Sequence, residues 1–197
     1  MDLILASQSP RRAQLLTAAG IKFTVFAPDE WVEENADKNS PPDKLVVELA
    51  FLKAQNVARR IGENNTISPP LACLVLAADT IAHCHQEVLG KPIDREDARR
   101  MLRLMSGQNH DVLTGVCLWD VQSHRYRTYL ESTSLRMDEL TTPQLEAYLD
   151  TEHWQGKAGG FGFQDGLDWV HIERGLASNV VGLPIERLQA WIDEFGQ

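Results

Sequence analysis

Two hydrophobic periods alternate along the chain. Leu3–Ala6 is a short apolar run with the character of a strand. It gives way at Ser9-Pro10, where a serine in the N-cap position and a proline in the first turn mark a helix start. That helix carries Leu15 and Leu16 and stops at Gly20 in the C′ position. Ile21–Phe26 reads as a second strand, and Ser40-Pro41 repeats the start signal for a long helix ending near Gly62. The stretch 62–70, GENNTISPP, reads as a loop. Leu71–Ala78 is apolar without interruption, as expected of a strand buried on both faces, with Glu87–Leu89 as its hairpin partner. Asp94, with Asp97 three residues on, predicts a capped helix that ends before Gly107. Val112–Val121 and Arg125–Met137 read as antiparallel strands about a turn near Gln122-Ser123. Thr142-Pro143 starts a helix through about Asp150 and a glycine-rich loop fills 156–166. Trp169–Glu173 reads as a strand and Pro184–Phe195 as an amphipathic helix. Strand–helix alternation followed by strand pairs predicts an α/β fold with a mixed sheet.

Composition narrows the class. With 197 residues, 43% apolar and 24% charged, the chain can build one core, and a single domain over 1–197 is expected. Disorder is excluded by the apolar fraction. No apolar run approaches the length of about 20 residues that a membrane helix needs. Met1-Asp2-Leu3 lacks the basic start of a secretory leader. The charge of −9 argues against a nucleic-acid polymer as partner, though not against a small anionic ligand. Cys73, Cys84 and Cys117 are odd in number and form no CxxC, so they read as reduced thiols of a cytoplasmic protein.

Five places carry candidate chemistry. Ser7-Gln8-Ser9-Pro10-Arg11-Arg12 sits where a strand hands over to a helix, and the N–H groups and dipole of a helix N-terminus attract anions. Two arginines in a first turn oppose that dipole, and such local violations tend to mark function. Lys53 falls between Leu49 and Val57 on the apolar face of its helix. Its ammonium either snorkels to water or emerges beside an anionic ligand. Asp79 closes an apolar strand, the end at which α/β proteins place ligands. It caps the next turn, pairs with a lysine, or holds a divalent cation. Gly90-Lys91-Pro92 projects a further cation from a tight turn. Arg11, Arg12, Lys53 and Lys91 around one acid make the composition of a polyphosphate site with a metal, yet there is no Walker loop. In Gly156–Gln164 the glycines let backbone approach a ligand and Gln164 offers an amide to a base edge. His83-Cys84-His85 resembles metal-ligand spacing, but strand alternation would turn Cys84 away from both histidines.

In order along the chain, Leu3–Arg12, Ala78-Asp79-Thr80, Leu89–Pro92, Met105-Ser106-Gly107 with His110, Lys157-Ala158-Gly159 and Asn179–Pro184 resemble the blocks of the Maf family of nucleoside triphosphate pyrophosphatases. The resemblance implies a Maf/ITPase-like fold, a mixed, bent sheet flanked by helices with a cleft between two lobes, often dimeric. It implies metal-dependent cleavage between the α and β phosphates, giving a nucleoside monophosphate and pyrophosphate. By position it makes Asp79 the catalytic acid, as general base or as ligand of Mg²⁺ or Mn²⁺. Ser7, Ser9, Arg11, Arg12, Lys53 and Lys91 become phosphate ligands. Of the two acids in Trp31-Val32-Glu33-Glu34, Glu33 is favoured as second metal ligand. Arg11, Thr80 and Gln164 resemble the specificity positions of the dTTP and UTP branch. Asp165 and the segment after it depart from the family pattern and place negative charge beside the base pocket. Rival expectations are a non-catalytic nucleotide-binding regulator of septum formation and a pyrophosphatase for modified nucleotides such as 7-methyl-GTP or inosine triphosphate.

Overall fold

A computed structural model of the chain describes residues 2–63 and 73–195. Within these, β1 (Asp2–Leu5) leads into α1 (Pro10–Ala18), β2 (Thr24–Val25), a 3₁₀ helix at Glu30–Asn35 and α2 (Pro42–Glu63). There follow β3 (Cys73–Cys84), β4 (Glu87–Leu89), α3 (Arg95–Met105), β5 (Asn109–Asp120), β6 (Tyr126–Met137) and α4 (Thr142–Asp150). Two 3₁₀ turns, Ala158–Gly160 and Phe163–Asp165, precede β7 (Val170–Arg174), α5 (Ala177–Val181) and α6 (Ile185–Phe195). The strands form one sheet in the order β2-β1-β3-β5-β6-β7, with β4 paired to β3. β1 runs parallel to β2 and β3, while β3–β4 and β6–β7 are antiparallel. The α/β class with a mixed sheet is as expected. Among the described residues no helix is long and apolar enough to cross a membrane.

The described residues fall into two compact units: those within 2–63, 73–79, 114–131 and 182–195, and those within 80–113 and 132–181. In the first, strand alternation sorts the core onto two faces. Val75, Ala77 and Cys117 join Ala50, Ala54, Val57 and Ile61 of α2. Leu74, Leu76, Val116 and Leu118 join Leu16 of α1 with Leu188 and Phe195 of α6. Burial on both faces is why β3 reads as a continuous apolar run. The second unit has one core, in which Ala98, Met101, Leu102 and Met105 of α3 and Leu145 and Leu149 of α4 pack on Ala82, Leu135 and Met137.

Some boundaries differ from the pattern. The strand expected over Ile21–Phe26 contracts to two residues, because Gly20 takes a left-handed φ of 70° and Ile21 N–H still donates to Leu16 O, 3.0 Å. β3 runs on past Ala78 to Cys84. Most of the loop expected at 62–70 lies outside the described residues, while Gly62 still belongs to α2. Ser9 stands at the N-cap of α1 but its hydroxyl makes no cap bond. Asp94 caps α3 as expected, accepting from Asp97 N–H at 2.8 Å.

Candidate active site

At the β1–α1 junction it is Ser7, two residues before the N-cap, whose hydroxyl is engaged. The Ser7 hydroxyl is buried and accepts from Ser9 N–H at 3.1 Å and from Arg12 Nη1 at 3.2 Å. Arg12 Nε donates to Gly182 O at 2.8 Å, tying the helix start to the Asn179–Pro184 block. The guanidinium is thus held from two sides. Burial, above all, pulls its pKa below the ordinary arginine value, and Arg11 adds to this, while Asp79 and Glu33 pull the other way. Arginine starts so high that it stays cationic at neutral pH. Ser7, Arg12, Asp79 and Glu33 therefore share one electrostatic neighbourhood. Arg11 precedes Arg12 in the same first turn and is partly buried.

Lys53 joins the acids to that neighbourhood. It lies in the buried stripe of α2 with Ala50, Ala54 and Val57, and is 7% exposed. Its Nζ contacts Asp79 Oδ1 at 2.5 Å and Glu33 Oε1 at 2.7 Å, so it does not snorkel. Asp79 sits within β3, which runs on past it, and answers to a lysine rather than capping a turn. Glu33 reaches Lys53 because its 3₁₀ helix is fastened to α2. Asn56 accepts from Asp29 N–H at 3.1 Å and donates to Asp29 Oδ2 at 2.9 Å. Arg60 pairs with Asp29 at 3.0 Å and donates to Ala27 O at 2.9 Å, and Val32 is buried. Glu33, not Glu34, is the acid so placed. The polar stretch EWVEEN has neither period, so nothing in the sequence announced this helix or its anchors.

The donor set fits a hard cation in one manner only. Among the described residues no group of three or more His, Cys, Asp or Glu could cage a metal. Two carboxylate oxygens converge on one ammonium, and Mg²⁺ is commonly held by one or two carboxylates with substrate phosphates and water completing the shell. Asp79 and Glu33 suit that role together. The segment His83-Cys84-His85 does not form a centre, and the Cys84 thiol is buried toward the carbonyls of Leu104 and Asn109, 3.7 and 3.9 Å.

The other expected site residues belong to the second unit. Thr80 follows Asp79 on β3, so its side chain leaves by the opposite face of the strand. Lys91 is exposed beyond β4, where Gly90 O accepts from Gly159 N–H at 2.9 Å. Gln164 is exposed on the Phe163–Asp165 turn. Beside it the buried Lys157 forms an ion pair with Asp165. The sequence had set Lys157 only in a block and Asp165 only as an unbalanced charge.

The family model described as Maf-like protein matches residues 2–195. The chain belongs to the Maf-like protein family. The dTTP/UTP pyrophosphatase of Rhodopirellula baltica is 47% identical to this Maf-like chain over 197 residues, all of this chain and 83% of that protein. The dTTP/UTP pyrophosphatase of Acetivibrio thermocellus is 39% identical, over all of this chain and 96% of its own length. That of Bacillus anthracis is 38% identical over 98% of this chain and 95% of its own. In the Maf-like chain the family blocks have distinct physical tasks. The first supplies Ser7 and Arg12, the second Asp79, and Gly182 of the last holds Arg12. Asn179, fully buried, donates to Val112 O and Thr133 Oγ1, both at 3.0 Å, and so ties α5 to β5 and β6.

Proposed function

We propose that this chain hydrolyses dTTP and UTP between the α and β phosphates, releasing the nucleoside monophosphate and pyrophosphate, with Mg²⁺ or Mn²⁺ as cofactor. The observation that carries this reading is Lys53 bridging Asp79 and Glu33 beside the Ser7–Arg12 helix start. The relatives named dTTP/UTP pyrophosphatase add their weight to it.

A triphosphate repels an incoming oxygen nucleophile until its charge is offset, and preorganised donors do this without reorganisation at the moment of reaction. Arg12 is preorganised by Ser7 and Gly182. Arg11, Ser9 and the N-terminus of α1 add donors toward the phosphates, and Lys91 is a further cation for them. Asp79 takes the proton of the attacking water or fixes the cation. The water oxygen bonds to the α-phosphorus as the bond to the bridging oxygen breaks, and pyrophosphate leaves with the electron pair. Lys53 holds the Asp79 carboxylate in place through their 2.5 Å contact. When bound, the divalent cation would polarise the α-phosphate and neutralise phosphate charge. Gln164 offers an amide donor and acceptor to the uracil or thymine edge, two carbonyl acceptors around one N–H.

The test is a panel of dTTP, UTP, CTP, inosine triphosphate and 7-methyl-GTP with Mg²⁺, resolving monophosphate from diphosphate products. Monophosphate and pyrophosphate from dTTP and UTP are expected. Diphosphate with orthophosphate, or turnover of 7-methyl-GTP tenfold faster than of UTP, overturns the reading. Asp79→Asn is expected to keep the fold and to lose about 10²-fold or more of turnover, the usual cost of removing a catalytic acid or base.

A further inference from the structure

Around Gly162 three polar side-chain ends converge. A Cβ placed there would collide with the Lys157 ammonium and would lie 2.5 Å from Asp165 Oδ2 and 2.7 Å from Gln164 Nε2. Lys157 and Asp165 form an ion pair, their side chains 11% and 13% exposed, while Gln164 between them is exposed. The surrounding backbone is fixed. Lys157 N–H donates to Trp154 O at 3.3 Å, Gly160 N–H to Lys157 O at 3.0 Å, and Asp165 N–H to Gly162 O at 3.0 Å. Gly166 closes the turn at φ 72°. Phe161 is buried with its ring edge-to-face to His110, centroids 5.5 Å apart. The Tyr148 hydroxyl is buried in reach of Asp165, whose charge adds to burial in holding the phenol above its ordinary pKa.

A buried ion pair yields little net stability, because desolvation offsets most of its attraction. What it does supply is direction. Asp165 is the next residue to Gln164 in a three-residue turn, so fixing its carboxylate fixes the rotation of the turn and the exit of the glutamine. It also cancels the negative charge that would otherwise compete beside the base edge and attract an exocyclic amine. We propose that the Lys157–Asp165 pair is a positioning device that aims the Gln164 amide and thereby sets the preference for a uracil-type over a cytosine-type edge. This rests on the dTTP/UTP reading of the site. Lys157 and Asp165 are positioning residues acting through Gln164, and Lys157 is withdrawn from phosphate binding by its partner.

The experiment measures kcat and KM for UTP and CTP with the full-length wild type and with Lys157→Met, Asp165→Asn, the double variant and Gly162→Ala. The last displaces only side-chain ends and keeps the fold available if Lys157→Met unfolds. In each, KM for UTP is expected to rise and the UTP-over-CTP preference to narrow by about tenfold, the worth of one hydrogen bond, with kcat changed less than about threefold. The double variant is expected to cost no more than the worse single, since both break one pair. An unchanged preference in Asp165→Asn and Gly162→Ala, or a fall in kcat at constant KM, overturns the positioning role while leaving the pyrophosphatase reading intact. A wild type that turns over neither nucleotide overturns that reading itself, and this inference with it.

Discussion

Lys53 shows how much one side chain can decide. Two carboxylates converge on its ammonium, and one of them, Asp79, is only 14% exposed. Lys53→Met leaves both acids facing each other with nothing between. Losing one member of a buried pair costs about 3–5 kcal/mol. Glu33 is 56% exposed and water screens its share, so about 1–3 kcal/mol is the expected loss here. Thermal denaturation should show a lowered midpoint, and turnover should fall by about 10²-fold; wild-type rates in that variant would contradict the site. His110 is a second decisive residue, outside the chemistry. It is 4% exposed, and burial, the largest influence, pulls its imidazole from 6.5 to about 4 despite the opposing Gln108 backbone and Asp111. The folded state therefore keeps the ring neutral where the unfolded chain would protonate it. Stability attributable to His110 is intact above pH 6.5 and is lost as pH falls from there toward about 4. By pH 5 the loss should reach about 2 kcal/mol. Urea titrations at pH 7 and pH 5 should show this slope in the wild type and a flatter one in His110→Gln; equal slopes would refute it.

At the scale of elements, the position of α2 governs the site, because α2 carries Lys53 and anchors the helix of Glu33. A Cβ at Gly115 of β5 would run into the Val46 carbonyl of α2 and lie 2.6 Å from Val47 N. Backbone, unlike a side-chain end, cannot step aside cheaply, and a strand glycine often marks such close approach. Gly115→Ala should cost about 1–3 kcal/mol or more through overpacking and should lower turnover by shifting Lys53, although residue 115 touches none of the acids. A variant with normal stability and activity would show that α2 does not rest on Gly115. Much of this element plan was legible. Doubly buried β3 announced itself as an apolar run, β5 as one strand of a hairpin, and α2 and α3 through their start signals. The Glu30–Asn35 helix was not, since it is held by Asp29–Asn56–Arg60 contacts that no local period encodes. Nor was β2's brevity, set by a hydrogen bond back to Leu16. For the site, Ser7, Arg12, Lys53 and Asp79 stood out as charges or hydroxyls in places that usually exclude them. Glu33 was separable from Glu34 only by tertiary anchoring, and the Lys157–Asp165 pairing required the turn at Gly162 to be folded.

The whole molecule is more interleaved than a two-part description suggests. Each compact unit is assembled from separated segments, and the chain passes from one to the other after Asp79, Leu113, Glu131 and Val181. Three of these passages fall inside β3, β5 and β6, so each of those strands belongs partly to both units. A strand cannot lose its ladder over half its length without exposing the backbone groups of the rest, and neither unit is a contiguous piece that could fold alone. Unfolding is therefore expected to be one cooperative transition. The check is calorimetry of two core truncations. Leu76→Ala removes a fully buried side chain from the first unit and Leu102→Ala one from the second. Each should cost about 2–5 kcal/mol, and for a chain of this length each kcal/mol lowers the midpoint by about 2–4 °C. Both variants should move the same single peak, with the calorimetric enthalpy equal to the van't Hoff value, and their effects should add because the two sites share no partner. A peak that splits in either variant, with one half left at the wild-type midpoint, would show that the shared strands do not couple the units.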